Sequence, residues 1–232
     1  MSDIRYDRIH DTHVIISPER LHRPDCYSVE KKKVIAKEQC PFCEGNESMT
    51  PPEIFALREE GSHANEKGWK TRVVPNLYKA VQIEAPYAHH YGIFEHWEGF
   101  GAHEVIIDTP EHYTSMTQWS EENVVQWLKT LRSRTADLRN DSRIAYISLF
   151  KNEGVQAGST QAHSHTQLIG LPITPKAQRE EFQRSYEHYR QHGETILGSL
   201  LMHEEEDAQR IIADAGDFIA YCPYASAYPF EV

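Results

Sequence analysis

The feature that most narrows the fold is the run IAYISLFKNEGVQAGSTQAHSHTQLIGL at residues 144–171. Two β-rich segments, IAYISLF and HSHTQLIGL, flank a loop bearing Gly154 and Gly158. Side chains alternate faces along a strand, so His163, His165 and Gln167 are expected to project together, each about 6.6 Å from the next. One histidine can then act as a ligand and one as a nucleophile, while the amide hydrogen-bonds a phosphoryl oxygen. The Gly154-x-x-x-Gly158-Ser159-Thr160 loop suits phosphate, because glycine admits a close backbone and N–H groups and hydroxyls donate to the anion. Polar histidines on an ordinary strand face are the plain alternative, and the neighbouring Gly-Ser-Thr loop weighs toward chemistry.

Other segments extend this pattern. THVIIS, TRVVP, KAVQIE, GAHEVIID and FIAYC read as strands, with TRVVP and KAVQIE paired across Asn76. Ser120 is placed to cap a helix with Glu121 and Glu122 in its first turn. Val124, Trp127, Leu128, Leu131 and Leu138 then share a face at helical spacing. A short helix is expected from Pro51-Pro52 to near Glu60, and further helices over Pro175–Arg190 and Glu194–Glu205. The stretch from Pro86 to Phe100 reads as a loop. Strands and helices are intermixed with antiparallel pairing, so the fold class is α+β.

Cys40-Pro41-Phe42-Cys43-Glu44-Gly45 is a knuckle. Two thiolates at this spacing chelate zinc, and the following glycine relieves the turn. A closed tetrahedral site needs two more ligands, for which His112 and His163 are the candidates. Thioredoxin-like redox chemistry and two unlinked core cysteines are the rival readings, and no thioredoxin-like βαβ pattern surrounds the motif. Arg20 and Arg23 could fork a phosphate together with Asn76, although by themselves they read as charges of a solvated loop.

Charge and composition exclude several classes. The 232 residues carry a formal net charge of −11, which disfavours non-specific binding to nucleic acid or an anionic membrane. No run of 18 apolar residues occurs, so no membrane span is expected. The opening MSDIRYDRIHDTH is charged from its third residue, so no signal peptide is expected. Four cysteines without such a signal point to a reducing, cytoplasmic setting.

Five segments occur together and in one order: SPERLHRP, CPFCEGNE, VVPNLYKAV, HEVIIDTPEH and FKNEGVQAGSTQAHSHTQLIGLP. They span roughly residues 5 to 172. In this the chain resembles the galactose-1-phosphate uridylyltransferases and their relatives in the histidine-triad superfamily. The resemblance implies a histidine-triad-like antiparallel sheet with flanking helices. It implies a structural zinc held by Cys40, Cys43, His112 and His163, and His165 as the nucleophile. Gln167 would contact the transferred phosphoryl group. Asn152, Gly158, Ser159 and Thr160 would line the phosphate site, Asn76 would help hold the nucleotide, and Arg20 and Arg23 match early arginines of the family.

The implied reaction is ping-pong transfer of a nucleotidyl group from a nucleotide sugar, through a nucleotidyl-histidine, to a sugar 1-phosphate. Many uridylyltransferases carry Pro between the histidines and Gly before the glutamine. Ser164, Thr166 and the continuation LIGLPITP look more like the ADP-glucose phosphorylase branch, in which inorganic phosphate is the acceptor. A nucleotide hydrolase and a silent nucleotide-binding remnant are the alternatives. Gln167 stands where the common hydrolase form has a third alternating histidine, which counts against the former. Residues 1–172 are expected to be the catalytic half. Residues 173–232 are expected to be a helical linker leading into the opening of a truncated second half at PYASAYPFEV. A homodimer is expected by resemblance alone.

Overall fold

A computed structural model describes residues 3–7, 9–16 and 37–232. Its strands in chain order are β1 (Asp3–Asp7), β2 (Thr12–Ile16), β3 (Phe55–Arg58), β4 (Trp69–Pro75), β5 (His89–His90), β6 (His96–Trp97) and β7 (Ala102–Ile107). Helix α1 (Glu121–Leu138), β8 (Tyr146–Phe150) and β9 (His165–Leu171) follow. The last elements are α2 (Lys176–His192), α3 (Ile196–Asp207), β10 (Ile211–Asp214) and β11 (Ile219–Tyr221). The chain divides into two compact units, one within Glu30–Thr174 and one combining the N-terminal residues with Pro175–Val232.

The first unit is built on a five-stranded antiparallel sheet in the order β3-β4-β7-β9-β8. This is the α+β arrangement that the sequence implies. Period-two alternation divides the work of the sheet between its faces. Val73, Ala102, Ile106 and Leu168 pack with Leu138 of α1 into the core, joined by Phe55, Leu131, Ile144 and Ile147. Residues one position out of phase on the central strands, including Val105, His165 and Gln167, line an open cleft instead.

Helix α1 starts where expected. Ser120 Oγ accepts from the Asn123 N–H, and the Asn123 side chain accepts from the Ser120 N–H, closing a reciprocal cap. Its inner stripe keeps Leu131 and Leu138 as expected but departs at Leu128. Leu128 is 52% exposed, whereas Thr130, Arg134 and Leu138 are buried. The polar members are satisfied by the sheet: Thr130 Oγ1 meets Thr71 Oγ1 at 2.5 Å, and Arg134 makes a two-pronged bond to Glu104 at 2.7 and 2.8 Å.

Three expected elements are different. The helix after Pro51-Pro52 is β3, because Phe55–Arg58 pairs with Trp69–Val73 and completes the sheet edge. KAVQIE forms no strand beside β4: β3 and β7 already take both edges of β4, and Gln82 keeps one bridge to Phe100. Within the supposed loop 86–100, β5 and β6 form a short ribbon. The chain then enters β7 through Gly101 at φ +154°, where a Cβ would lie 2.3 Å from the Gly170 carbonyl oxygen, so only glycine fits.

In the second unit, β1 pairs with β2 and β10 with β11, both antiparallel. Helix α2 stops at Gly193, which adopts the left-handed conformation at φ +78°. Thr195 then caps α3 by accepting from the Gly198 N–H. The expected helices here are present, and β10 is an addition. Among the described residues no helix is long and apolar enough to cross a membrane.

Candidate active site

The knuckle is a compact turn in which the Cys43 N–H donates to the Cys40 carbonyl and the Asn46 N–H to the Cys43 carbonyl. Glu47 fastens it to the sheet, accepting from the Gly45 N–H at 2.9 Å and from the Trp69 indole at 2.8 Å. Burial pushes the Glu47 carboxyl up, but those hydrogen bonds, its own backbone N–H and the nearby Arg72 charge together hold the group below the usual range. Asn46 adds a side-chain bond to the Cys40 carbonyl at 2.8 Å. Both sulfurs therefore face the sheet and are buried.

His163 and His112 meet them. His163 Nδ1 lies 3.6 Å from Cys40 Sγ and 3.5 Å from Cys43 Sγ, and His112 Nδ1 lies 3.1 Å from Cys43 Sγ. The four ligand atoms all fall within 4.8 Å of one another. In a tetrahedral zinc site a sulfur at about 2.3 Å and a nitrogen at about 2.05 Å stand roughly 3.6 Å apart, so the spacing fits. The His163 Nε2–H donates to the Thr109 carbonyl at 2.9 Å, which leaves Nδ1 as the lone-pair nitrogen aimed at the sulfurs. Burial and the neighbouring Cys40 push the Cys43 thiol up to about 12. Burial drives His163 down to about 4, so its imidazole is the neutral, ligating form at ordinary pH. These four residues could bind a metal ion.

The strand β9 begins at His165, two residues later than HSHTQLIGL implies. His163 lies just before it and turns to the cysteines, while His165 and Gln167 line the cleft with Asn76 and Thr160. The cleft encloses about 170 Å³, and Pro41 and Phe42 of the knuckle form one wall. Phe42 sets its ring edge-on to both histidines, 6.2 Å from His163 and 5.4 Å from His165. His165 Nδ1 lies 2.9 Å from the His163 carbonyl. A carbonyl only accepts, so Nδ1 carries the proton and Nε2 keeps its lone pair.

Asn152, Gly158 and Ser159 stand in the loop between β8 and β9 and are not part of the cleft wall. Gly158 adopts φ +87°, with the Asn152 amide nitrogen 3.9 Å from where its Cβ would be. Ser159 Oγ donates to the Gln161 carbonyl at 2.7 Å. Arg20 and Arg23 lie outside the described residues.

Two groups of residues escaped the sequence reading. His103 on β7 accepts from the Ala80 N–H at Nδ1 (3.0 Å), so its Nε2–H is free to donate to Gln167 Oε1 at 3.2 Å. The Asn76 side-chain amide comes within 3.0 Å of the same nitrogen. The second group lies behind His165. Lys151 Nζ donates to Asp108 Oδ2 at 2.5 Å, to Ser164 Oγ at 2.6 Å and to the His165 carbonyl at 3.3 Å. Thr166 Oγ1 donates to Asp108 Oδ1 at 2.8 Å and accepts from the Trp127 indole at 2.9 Å. Burial pushes the Asp108 carboxyl up, against the opposing pull of Lys151. Period-two alternation could have flagged His103, which is two residues before Val105. The Lys151–Asp108 pair joins positions 43 residues apart and leaves no local signal.

The departure at Ser164 and Thr166 thus has a structural counterpart. Both hydroxyls serve the buried pair, and the Ser164 N–H donates to the Tyr113 carbonyl at 2.7 Å. Proline at 164 would lose that bond as well as the hydroxyl.

The family described as galactose-1-phosphate uridyl transferase, N-terminal domain, matches residues 1–175. An ADP-glucose phosphorylase of Arabidopsis thaliana is 29% identical over 238 residues, covering 99% of this chain and 64% of its own length. A galactose-1-phosphate uridylyltransferase of Thermotoga maritima is 24% identical, covering 100% and 65%. The crystal structure of an A. thaliana ADP-glucose phosphorylase with bound ADP-glucose superposes with a TM-score of 0.74 at 26% identity, over 99% of this chain and 66% of that one. The chain thus spans about 64% of the length of the curated relatives it matches. With the knuckle, the histidine pair and the antiparallel sheet in place, the family match over residues 1–175 places this chain in the galactose-1-phosphate uridylyltransferase family.

Proposed function

We propose that the chain carries the nucleotidyl-transfer centre of an enzyme that acts on nucleotide sugars, with His165 as nucleophile. The observation that carries this reading is the hydrogen bond from His165 Nδ1 to the His163 carbonyl, which leaves an unprotonated Nε2 on a cleft-lining side chain. Nε2 attacks the α-phosphorus of the donor. The bond from that phosphorus to the bridging oxygen breaks, and sugar 1-phosphate leaves with the electron pair. A phosphate oxygen of the acceptor then attacks the same phosphorus, and the P–N bond breaks to return His165. Dividing the transfer this way replaces one hard displacement by two easier ones.

Gln167 presents its amide N–H groups to the phosphoryl oxygens because its carbonyl is occupied by His103. Asn76 and Thr160 border the same cleft and hold the nucleotide. Asn152, Gly158 and Ser159 lie in the loop that leads to Thr160 at the cleft and, like Arg20 and Arg23, are assigned to phosphate by their match to the family. Zinc is the ion we assign to Cys40, Cys43, His112 and His163; bound there, it would clamp the knuckle to the residues that lead into β9. The working enzyme is proposed to be a cytoplasmic homodimer. Residues 1–172 are proposed to form its catalytic half, and 173–232 a linker into a second half.

Two acceptors fit this centre. Sugar 1-phosphate is the uridylyltransferase reading. Inorganic phosphate is the ADP-glucose phosphorylase reading, favoured by the 29% identical relative and by the Ser164 and Thr166 version of the motif. Intact-mass measurement after separate incubation with UDP-glucose and ADP-glucose tests both. Wild type is expected to gain one nucleotidyl adduct from one of the two donors, and His165→Ala none. An unmodified wild type with both donors, or a modified His165→Ala, rejects the assignment.

A further inference from the structure

Beyond the Cys/His centre and independent of the transfer reaction, we propose a second metal site, on the β5–β6 ribbon. It is formed by His90, His96 and Glu98 and takes a divalent first-row transition ion such as Zn2+. The ribbon pairs only His89 with Trp97 and His90 with His96. Alternation sorts its side chains cleanly. His89 stacks on Trp97 at 4.3 Å and bonds Glu95 on one face. His90, its cross-strand partner His96 and Glu98, two residues further on, share the other. Their ligand atoms all lie within 4.8 Å of one another.

Three details go beyond proximity. The His90 Nε2 to Glu98 Oε1 separation is 3.0 Å, whereas two donors each about 2.1 Å from one ion stand roughly 3.0–3.4 Å apart. The His96 Nδ1 lies 3.1 Å from the Phe94 carbonyl, so Nδ1 carries the proton and Nε2 keeps the lone pair. The rings of His90 and His96 stack at 4.5 Å and 15°, so a modest rotation of either exposed side chain brings both nitrogens to one ion. Two imidazoles and a carboxylate are a donor set suited to such ions, with water filling the remaining positions. The ion takes the place of the hydrogen bond between His90 and Glu98: the neutral imidazole shifts its proton to Nδ1, and Nε2 gives its lone pair to the metal.

Such an ion would cross-link a ribbon of two residue pairs, a length that holds poorly by itself. It would act on the segment that leads through Phe100 and Gly101 into β7.

The test is calorimetric titration of Zn2+ into reduced, metal-free protein, with His90→Gln/His96→Gln, Glu98→Gln and a control. The control is His188→Gln/His192→Gln, which removes a close imidazole pair on α2, with rings 4.4 Å apart. Wild type is expected to show a tight event at the cysteines and a second, weaker one. The control should keep both. His90→Gln/His96→Gln should keep the first and lose the second, and Glu98→Gln should weaken the second by about tenfold or more. A single event in wild type overturns the site, as does a second event that persists in His90→Gln/His96→Gln. If that double variant fails to fold, Glu98→Gln decides: an unchanged second event rejects the site, and a weakened one supports it.

Discussion

Lys151→Met tests what holds the His165 strand from behind. The ammonium sits 2.5 Å from Asp108, whose side chain is fully buried. At an effective dielectric constant near 20 the pair's Coulomb energy is about 6–7 kcal/mol, before the cost of removing both charges from water. Methionine keeps the stem's packing and removes the charge, the bond to Ser164 and the bond to the His165 carbonyl. Breaking a buried pair from one side costs about 3–5 kcal/mol, because the remaining charge has no partner. Urea denaturation should therefore show Lys151→Met destabilised by that amount. The double variant Lys151→Met/Asp108→Asn should recover about 2 kcal/mol of the loss, since its remaining amide can still accept from Thr166. Equal denaturation midpoints for wild type and Lys151→Met would refute the pairing. Strict additivity in the cycle would show that the two residues act separately.

Four further outcomes follow from the same packing. Glu47→Gln should lose about 1–3 kcal/mol at neutral pH, because the carboxylate's two donors are left with a weaker acceptor. The Glu47 carboxyl is held low in the folded state, so its contribution is complete above its ordinary value and lost as pH falls through the lowered one; acid titration of stability should be flatter in the variant. In metal-free protein, the His163 imidazole at about 4 against an ordinary 6.5 should make stability fall by roughly 3 kcal/mol as pH drops through that window, and His163→Gln should remove this slope. Ser164→Pro should lower the melting temperature sharply and by more than Ser164→Ala, because it also deletes the N–H that serves Tyr113. Gly101→Ala should unfold the protein or cost more than about 2 kcal/mol, since its Cβ meets a carbonyl oxygen rather than a movable side chain.

What the sequence disclosed followed from local rules. The knuckle, the capped start of α1 and the alternation at His165 and Gln167 each depend on neighbours a few residues away. The α1 stripe was misread at Leu128 because Thr130 and Arg134 are polar yet buried, and their partners Thr71 and Glu104 lie on other strands. The strand at Phe55–Arg58 was hidden behind two prolines, and its identity comes from pairing with β4. His103 and Lys151 were invisible for the same reason. Each acquires its meaning from a partner brought close only by the assembled sheet.

Phe42 links the two halves of the site. One aromatic ring is seated between the sulfur-bearing turn and the imidazole beyond it, and its own flank is cleft wall. An ion leaving the thiols would loosen the turn, and the ring would shift with it. If the cleft takes a nucleotide and the thiols an ion as proposed, the two occupancies should rise and fall together, although no donor atom touches both.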